Sequence, residues 1–202
     1  MVANQAFIDG FAWAKSHFSK WELRDLYAVQ YASRAQSGFQ FLSDILHPDY
    51  FLRHEATSAP VSRQMFILIS YNFELLLDAA VCICSIKNSE NDLKREINVT
   101  HNLSTLWGRV TNKEIRNLMQ IDRIKSPKEG ASFPYFEILL RNNKIIKIPE
   151  FRNVRYDIAD FRGREREVLR PAQKEEETMD NAIQTFSEAA KSITSRLYSK
   201  YK

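Results

Sequence analysis

The sequence predicts a mainly all-α fold: a helical bundle of four or five long helices with one short β-hairpin inserted near residues 135–148. Two observations carry this expectation. Only 5 Gly and 6 Pro stand in 202 residues, too few for a protein made of many short strands and tight turns. Apolar residues also recur at three- and four-residue spacing over long stretches, the period of one helix face. A chain of this length can bury a sizeable core without disulfides or metals. Its 44% hydrophobic and 27% charged content is ordinary for a globular protein. It reads as one domain over residues 1–202, with residues 1–58 as an N-terminal helical extension.

Taken in order, Phe7, Ile8, Phe11, Trp13 and Phe18 suggest a short first helix. Ser19-Lys-Trp-Glu22 has the form of a capping box and opens a long helix to about Leu46, where His47-Pro48-Asp49 ends it. Pro60 suits the first turn of the next helix, which runs to about Ile86 and is apolar nearly all round. On it Ser70, Glu74 and Asp78 form a single polar stripe that must face water or meet a cation. Ser89-Glu-Asn-Asp92 starts a third helical segment with a break near Thr100, and Thr111-Asn-Lys-Glu114 caps a short helix through Met119. Residues 122–134 read as an exposed loop. Tyr135 to Leu140 and Lys144 to Ile148 read as two strands around Arg141-Asn-Asn143. A final helix from about Pro171 places Met179, Ile183, Phe186, Ala190, Ile193 and Leu197 on one stripe.

Several function classes are excluded by what the chain does not carry. No G-x-G-x-x-G, G-K-S/T, H-E-x-x-H, C-x-x-C or G-x-S-x-G string occurs, against a phosphate-loop enzyme and the usual zinc or serine hydrolases. Cys82 and Cys84, two apart on a helix, point to nearly opposite sides and read as small core residues. No metal and no cofactor is expected. The apolar stretch Met65 to Ile86 holds Glu74 and Asp78, so it reads as a buried helix of a cytoplasmic protein with no membrane partner. Charge is uneven: residues 101–170 hold fifteen Lys/Arg against nine Asp/Glu, a net +6 that exceeds the whole-chain +4. Such a surplus suits a polyanion or an acidic partner. Arg152, Arg155, Arg162, Arg164 and Arg166 are its densest part.

Of the four histidines, His17, His47 and His54 are expected at helix ends or in a loop, whereas His101 follows Arg95 by six residues. Three stretches, Ser70-Tyr-Asn-Phe-Glu-Leu-Leu-Leu-Asp-Ala79, His101-Asn-Leu-x-x-Leu106 and Phe151-Arg-Asn-Val-Arg-Tyr156, followed by the final amphipathic helix, resemble the HEPN superfamily (higher eukaryotes and prokaryotes nucleotide-binding) over roughly residues 60–200. The resemblance implies a helical bundle, often a homodimer, acting as a metal-independent ribonuclease of the toxin or defence type. It further implies RNA or a nucleotide, or an antitoxin or other protein, as partner. Its catalytic members carry Arg, four to six residues, then His; Arg95-Glu-Ile-Asn-Val-Thr-His101 has five between.

On that resemblance His101 is the acid/base and Arg95 the phosphate clamp, with Asn98, Asn102, Arg155 and Tyr156 as ligand-binding residues. The assignment is chemically sound, since an imidazole exchanges protons near neutral pH and a guanidinium fork donates to two phosphate oxygens at once. Six residues on an unbroken helix would set Arg95 and His101 about 120° apart, so a joint site needs a helix break, a long Arg reach or a dimer partner. Two further readings stay open. In one, His101 and Asn102 form a structural polar knot with Arg155, Tyr156 or Glu74, and the protein is a non-catalytic interaction module. In the other, the bundle binds a small molecule between its helices.

Overall fold

The computed structural model describes residues 20–46, 59–98, 101–127, 135–149 and 173–202. The expected first helix over Phe7 to Phe18, the stop at His47-Pro48-Asp49 and the Arg-dense stretch from Phe151 to Arg170 lie outside these residues. Six helices and one three-stranded antiparallel sheet make up the described part. In chain order they are α1 (Leu23–Leu46), α2 (Ala59–Cys84), α3 (Glu90–Asn98), α4 (Leu103–Arg109), α5 (Lys113–Met119), β1 (Ile121–Lys125), β2 (Tyr135–Leu140), β3 (Ile145–Pro149) and α6 (Gln173–Lys200). The fold is mainly α, as the glycine and proline counts predict. Among the described helices three are long, at 24, 26 and 28 residues, and three are short connectors of 9, 7 and 7.

The three long helices form the bundle. Ala28, Ala32 and Ala35 recur at i, i+4 and i+7 on α1 and are fully buried, so the small face lets α1 lie close along α2. Gly38 of α1 faces the buried Asn72 of α2, whose carboxamide fills the space a Cβ at Gly38 would need. Phe39 of α1, Phe73 of α2 and Phe186 of α6 meet at the centre, with ring centroids 5.8 Å (Phe39 to Phe186) and 4.8 Å (Phe73 to Phe186) apart. Helix α2 passes the length and hydropathy test for a membrane span over Ile67–Cys84, but 72% of that window is buried by the rest of the fold. It is the core's central element. Cys82 is buried, Cys84 half-buried, and both are free thiols.

The short helices are set by their caps. Ser89 accepts from the Asp92 amide at 3.3 Å and donates its hydroxyl to the Asp92 carboxylate, capping α3 where the sequence places a helix start. Asn102 starts α4 by accepting from the Thr105 amide at 3.0 Å. The cap of α5 is Asn112 and not Thr111: its Oδ1 accepts from the amides of both Glu114 and Ile115. Helix α1 starts at Leu23, with the Glu22 carbonyl accepting from the Leu26 amide, so it begins later than a cap at Ser19 would place it.

The sheet has the order β1-β2-β3. The β2–β3 hairpin is where the sequence puts it, and Asn143 takes the positive φ of 62° that its turn needs. The loop expected over residues 122–134 is corrected in its first part, because Ile121–Lys125 is a strand paired to β2. A bulge between Ile121 and Arg123 inserts Asp122 as an extra residue. That insertion breaks the two-residue alternation by which a strand is read from sequence. Phe136, Ile138, Leu140, Ile146 and Ile148 of the hairpin are buried in the same core cluster as the helices.

Candidate functional site

A carboxylate on an apolar helix needs a partner when the helix packs at the centre of a core. Ser70, Glu74 and Asp78 stand at i, i+4 and i+8 on α2 and are all buried. Their stripe therefore faces other protein elements and not water. Glu74 Oε1 meets the Nδ1 of His101 at 2.6 Å. Asp78, one turn further, lies in the field of Arg109 at the end of α4. Arg109 in turn donates to the backbone carbonyl of Glu96 in the last turn of α3, so one guanidinium links three helices.

The two ends of the Glu74–His101 bond differ in exposure. The Glu74 side chain is 12% exposed and the His101 side chain 41%. With Glu74 ionised its carboxylate can only accept, so Nδ1 then carries the hydrogen of this bond and the basic nitrogen is Nε2, on the far side of the ring. Carboxylate-bonded imidazoles are held in this way where a histidine exchanges protons with a substrate. The placement comes from chain geometry. His101 sits in the non-helical step just before the Asn102 cap, and Leu103, Leu106 and Trp107 of α4 are buried beside α2.

Asp78 sets the local electrostatics. Burial pushes its carboxyl well above the usual carboxylate range, the charge of Glu74 pushes it the same way, and Arg109 pulls it down. Its Oδ1 is buried without a hydrogen-bond partner among the described residues. Burial, and then the Asp78 charge, also raise the Tyr31 hydroxyl on α1 and the Cys82 thiol. Both groups stay protonated at neutral pH, so neither adds a negative charge beside the two carboxyls.

The other sequence candidates fall in different places. Arg95 is exposed in the last turn of α3, opposite the buried Leu93 and Ile97, and makes no hydrogen bond or ion pair among the described residues. Asn98 is the last residue of α3. Asn102 spends its side-chain oxygen on the Thr105 amide. Arg155, Tyr156, His17, His47 and His54 lie outside the described residues. Among the described residues no group of three or more His, Cys, Asp or Glu side chains is arranged to hold a metal ion. Sequence reading places Glu74 and Asp78 on one stripe but does not single out Arg109 or Tyr31. The signal available was the pair of carboxylates on an otherwise apolar helix, which demands positive and hydrogen-bonding partners from somewhere in the chain. Compared with family models, with curated proteins and with solved structures, the chain matches none.

Proposed function

We propose that this protein is a HEPN-like helical bundle that binds and cleaves RNA, or acts on another phosphate-bearing ligand. His101 is the acid/base, Glu74 orients it, and Arg95 is the exposed guanidinium available to a phosphate. The observation that carries the reading is the half-exposed His101 ring, 41% accessible, with Nδ1 fixed at 2.6 Å by a carboxylate at the edge of the core. In the reaction Nε2 takes the proton of a ribose 2′-hydroxyl, whose oxygen bonds to the adjacent phosphorus. The bond from phosphorus to the 5′-oxygen breaks, and an imidazolium, from the same subunit or from a second copy in a homodimer, returns a proton to the leaving oxygen. A base or acid contribution of this kind amounts to roughly a hundredfold to ten-thousandfold in rate.

Single-stranded RNA incubated with the purified protein in excess chelator tests this. Cleavage is expected from the native chain and at least a hundredfold less from His101→Asn, whose carboxamide keeps a donor for Glu74 and so preserves the fold. Equal rates in the two proteins exclude His101 from the chemistry.

A second reading, a non-catalytic interaction module, has its own support: Asn102 is committed to a helix cap, and the Glu74–His101 bond also ties α4 to the core helix. It expects no cleavage by either protein and a lowered Tm for His101→Ala, which leaves a buried carboxylate without its partner.

A further inference from the structure

The sheet has an outer face that the core does not use. Side chains alternate across the strands, and the inward set of β2 and β3 is Phe136, Ile138, Leu140, Ile146 and Ile148. The outward set is ordered by the register. Arg123 pairs with Leu139, which pairs with Ile145; Lys125 pairs with Glu137, which pairs with Lys147; Tyr135 pairs with Pro149. Arg123, Lys125, Lys147 and Ile145 are exposed, and Tyr135, Glu137 and Leu139 half-buried. Ile145 is 51% exposed, in a strand whose other described isoleucines are buried. Lys147 places its ammonium 5.1 Å from the centroid of the Tyr135 ring.

Charge on these strands is concentrated. Residues 121–125 and 135–149 hold five Lys/Arg (Arg123, Lys125, Arg141, Lys144 and Lys147) against two acids, Asp122 and Glu137. The net +3 over 20 residues compares with +4 over the whole chain of 202. Neighbouring strands lie about 4.8 Å apart, so Lys125 and Lys147 flank the middle strand at about 10 Å, and Arg123 stands about 7 Å along β1 from Lys125. Cations set this far apart around an aromatic and aliphatic centre meet several phosphates of one chain while its bases lie on the apolar groups.

From this arrangement we infer that the outer face of the β1-β2-β3 sheet docks single-stranded nucleic acid, with Arg123, Lys125 and Lys147 on the phosphates and Tyr135, Leu139 and Ile145 under the bases. An acidic protein would use the cations but leave Tyr135 and Ile145 without a role. A duplex keeps its bases stacked inside and offers the flat sheet only its backbone. Glu137 opposes the ligand: it is 3.4 Å from the Lys125 ammonium and stands in register with Lys147. The inference goes beyond the proposed chemistry at His101, and it stands or falls on binding alone.

The test measures anisotropy of a labelled 12-nucleotide mixed-sequence RNA over a range of salt, with the full chain carrying His101→Asn so that the probe stays whole. Removing two phosphate contacts in Lys125→Gln/Lys147→Gln should weaken binding and lower the magnitude of the log–log salt slope by about 1.4. Tyr135→Ala should lose about tenfold in affinity with the slope unchanged. Glu137→Gln should bind more tightly than its parent, a gain of sign that a merely destabilised sheet cannot produce. Lys191→Gln, exposed on α6 and outside the three strands, should keep the parent slope. The same sequence as DNA separates a need for the 2′-hydroxyl from simple phosphate and base contact. Parent affinity and slope in the double lysine variant would overturn the inference, as would equal binding of a duplex or of polyglutamate with the same lysine dependence. Sheet-dependent binding without cleavage by the native chain would sustain it while removing the ribonuclease reading.

Discussion

Asp78 is a carboxyl held in the core beside a second carboxyl, and this makes stability depend on pH in a definite direction. Its affinity for a proton is higher in the fold than in the unfolded chain, chiefly through burial. The folded state therefore binds more protons between the ordinary carboxylate range near pH 4 and the raised folded value, and stability falls as pH rises through that window. Each pH unit of the window is worth at most about 1.4 kcal/mol. Asp78→Asn removes the titration while keeping the shape. Its Tm, measured from pH 5 to pH 8, is expected to gain on the native protein as pH increases; a constant difference would mean that Asp78 does not titrate between the two states. At this scale the sequence told which residues are chemically costly but not how they are resolved. The i, i+4 spacing places Glu74 and Asp78 on one side of α2, yet nothing local ties them to His101 and Arg109, which stand 27 and 31 positions later.

Among the elements, α1 shows how a helix-level rule inverts under packing. Alanine is a better helix former than glycine by about 1 kcal/mol, so propensity alone makes Gly38→Ala stabilising. Here a Cβ at Gly38 would run into the Asn72 carboxamide, and overpacking of that kind costs typically ~1–3 kcal/mol. Gly38→Ala is expected to lower Tm in thermal unfolding, and Asn72→Ala in the same chain to recover part of the loss; a raised Tm for the single variant would refute the close crossing. The long helices were legible because a 3.6-residue apolar period survives over 24 to 28 residues. The hairpin was legible from two β-rich runs around Asn142 and Asn143. Strand β1 was not, since Ile-Asp-Arg-Ile-Lys with its extra residue spaces the two inward isoleucines three apart, as a helix or loop would. Asn112 and Thr111 are both good caps, and only the turn geometry decides between them.

For the whole molecule, the two ends of the described chain are joined by a polar lock. The Tyr201 hydroxyl donates to Asp25 Oδ2 at 2.6 Å and accepts from the Glu22 amide at 3.1 Å, while Lys200 pairs with the same carboxylate oxygen at 2.7 Å. The Tyr201 ring stacks on Trp21 with centroids 4.5 Å apart. The Asp25 side chain is 3% exposed, so its partners count for more than an ion pair in water. Tyr201→Phe keeps the stack and removes both hydroxyl bonds, and should cost about 1–3 kcal/mol, read as a Tm lower by several degrees. An unchanged Tm would make the lock incidental. None of this closure could be read along the sequence, because it joins residues 175 and more positions apart by side chains with no local pattern.

Whether Glu74 and His101 work as one unit on RNA, as proposed, is read from a double-mutant cycle on cleavage rate. Single-turnover rates in chelator would be compared for the native chain, Glu74→Gln, His101→Asn and the double variant. Groups that act together lose little more when both are removed than when the reacting one is removed. The double variant is therefore expected to cleave as slowly as His101→Asn alone. Independent losses that multiply, or a native chain that cleaves no faster than His101→Asn, would contradict the account.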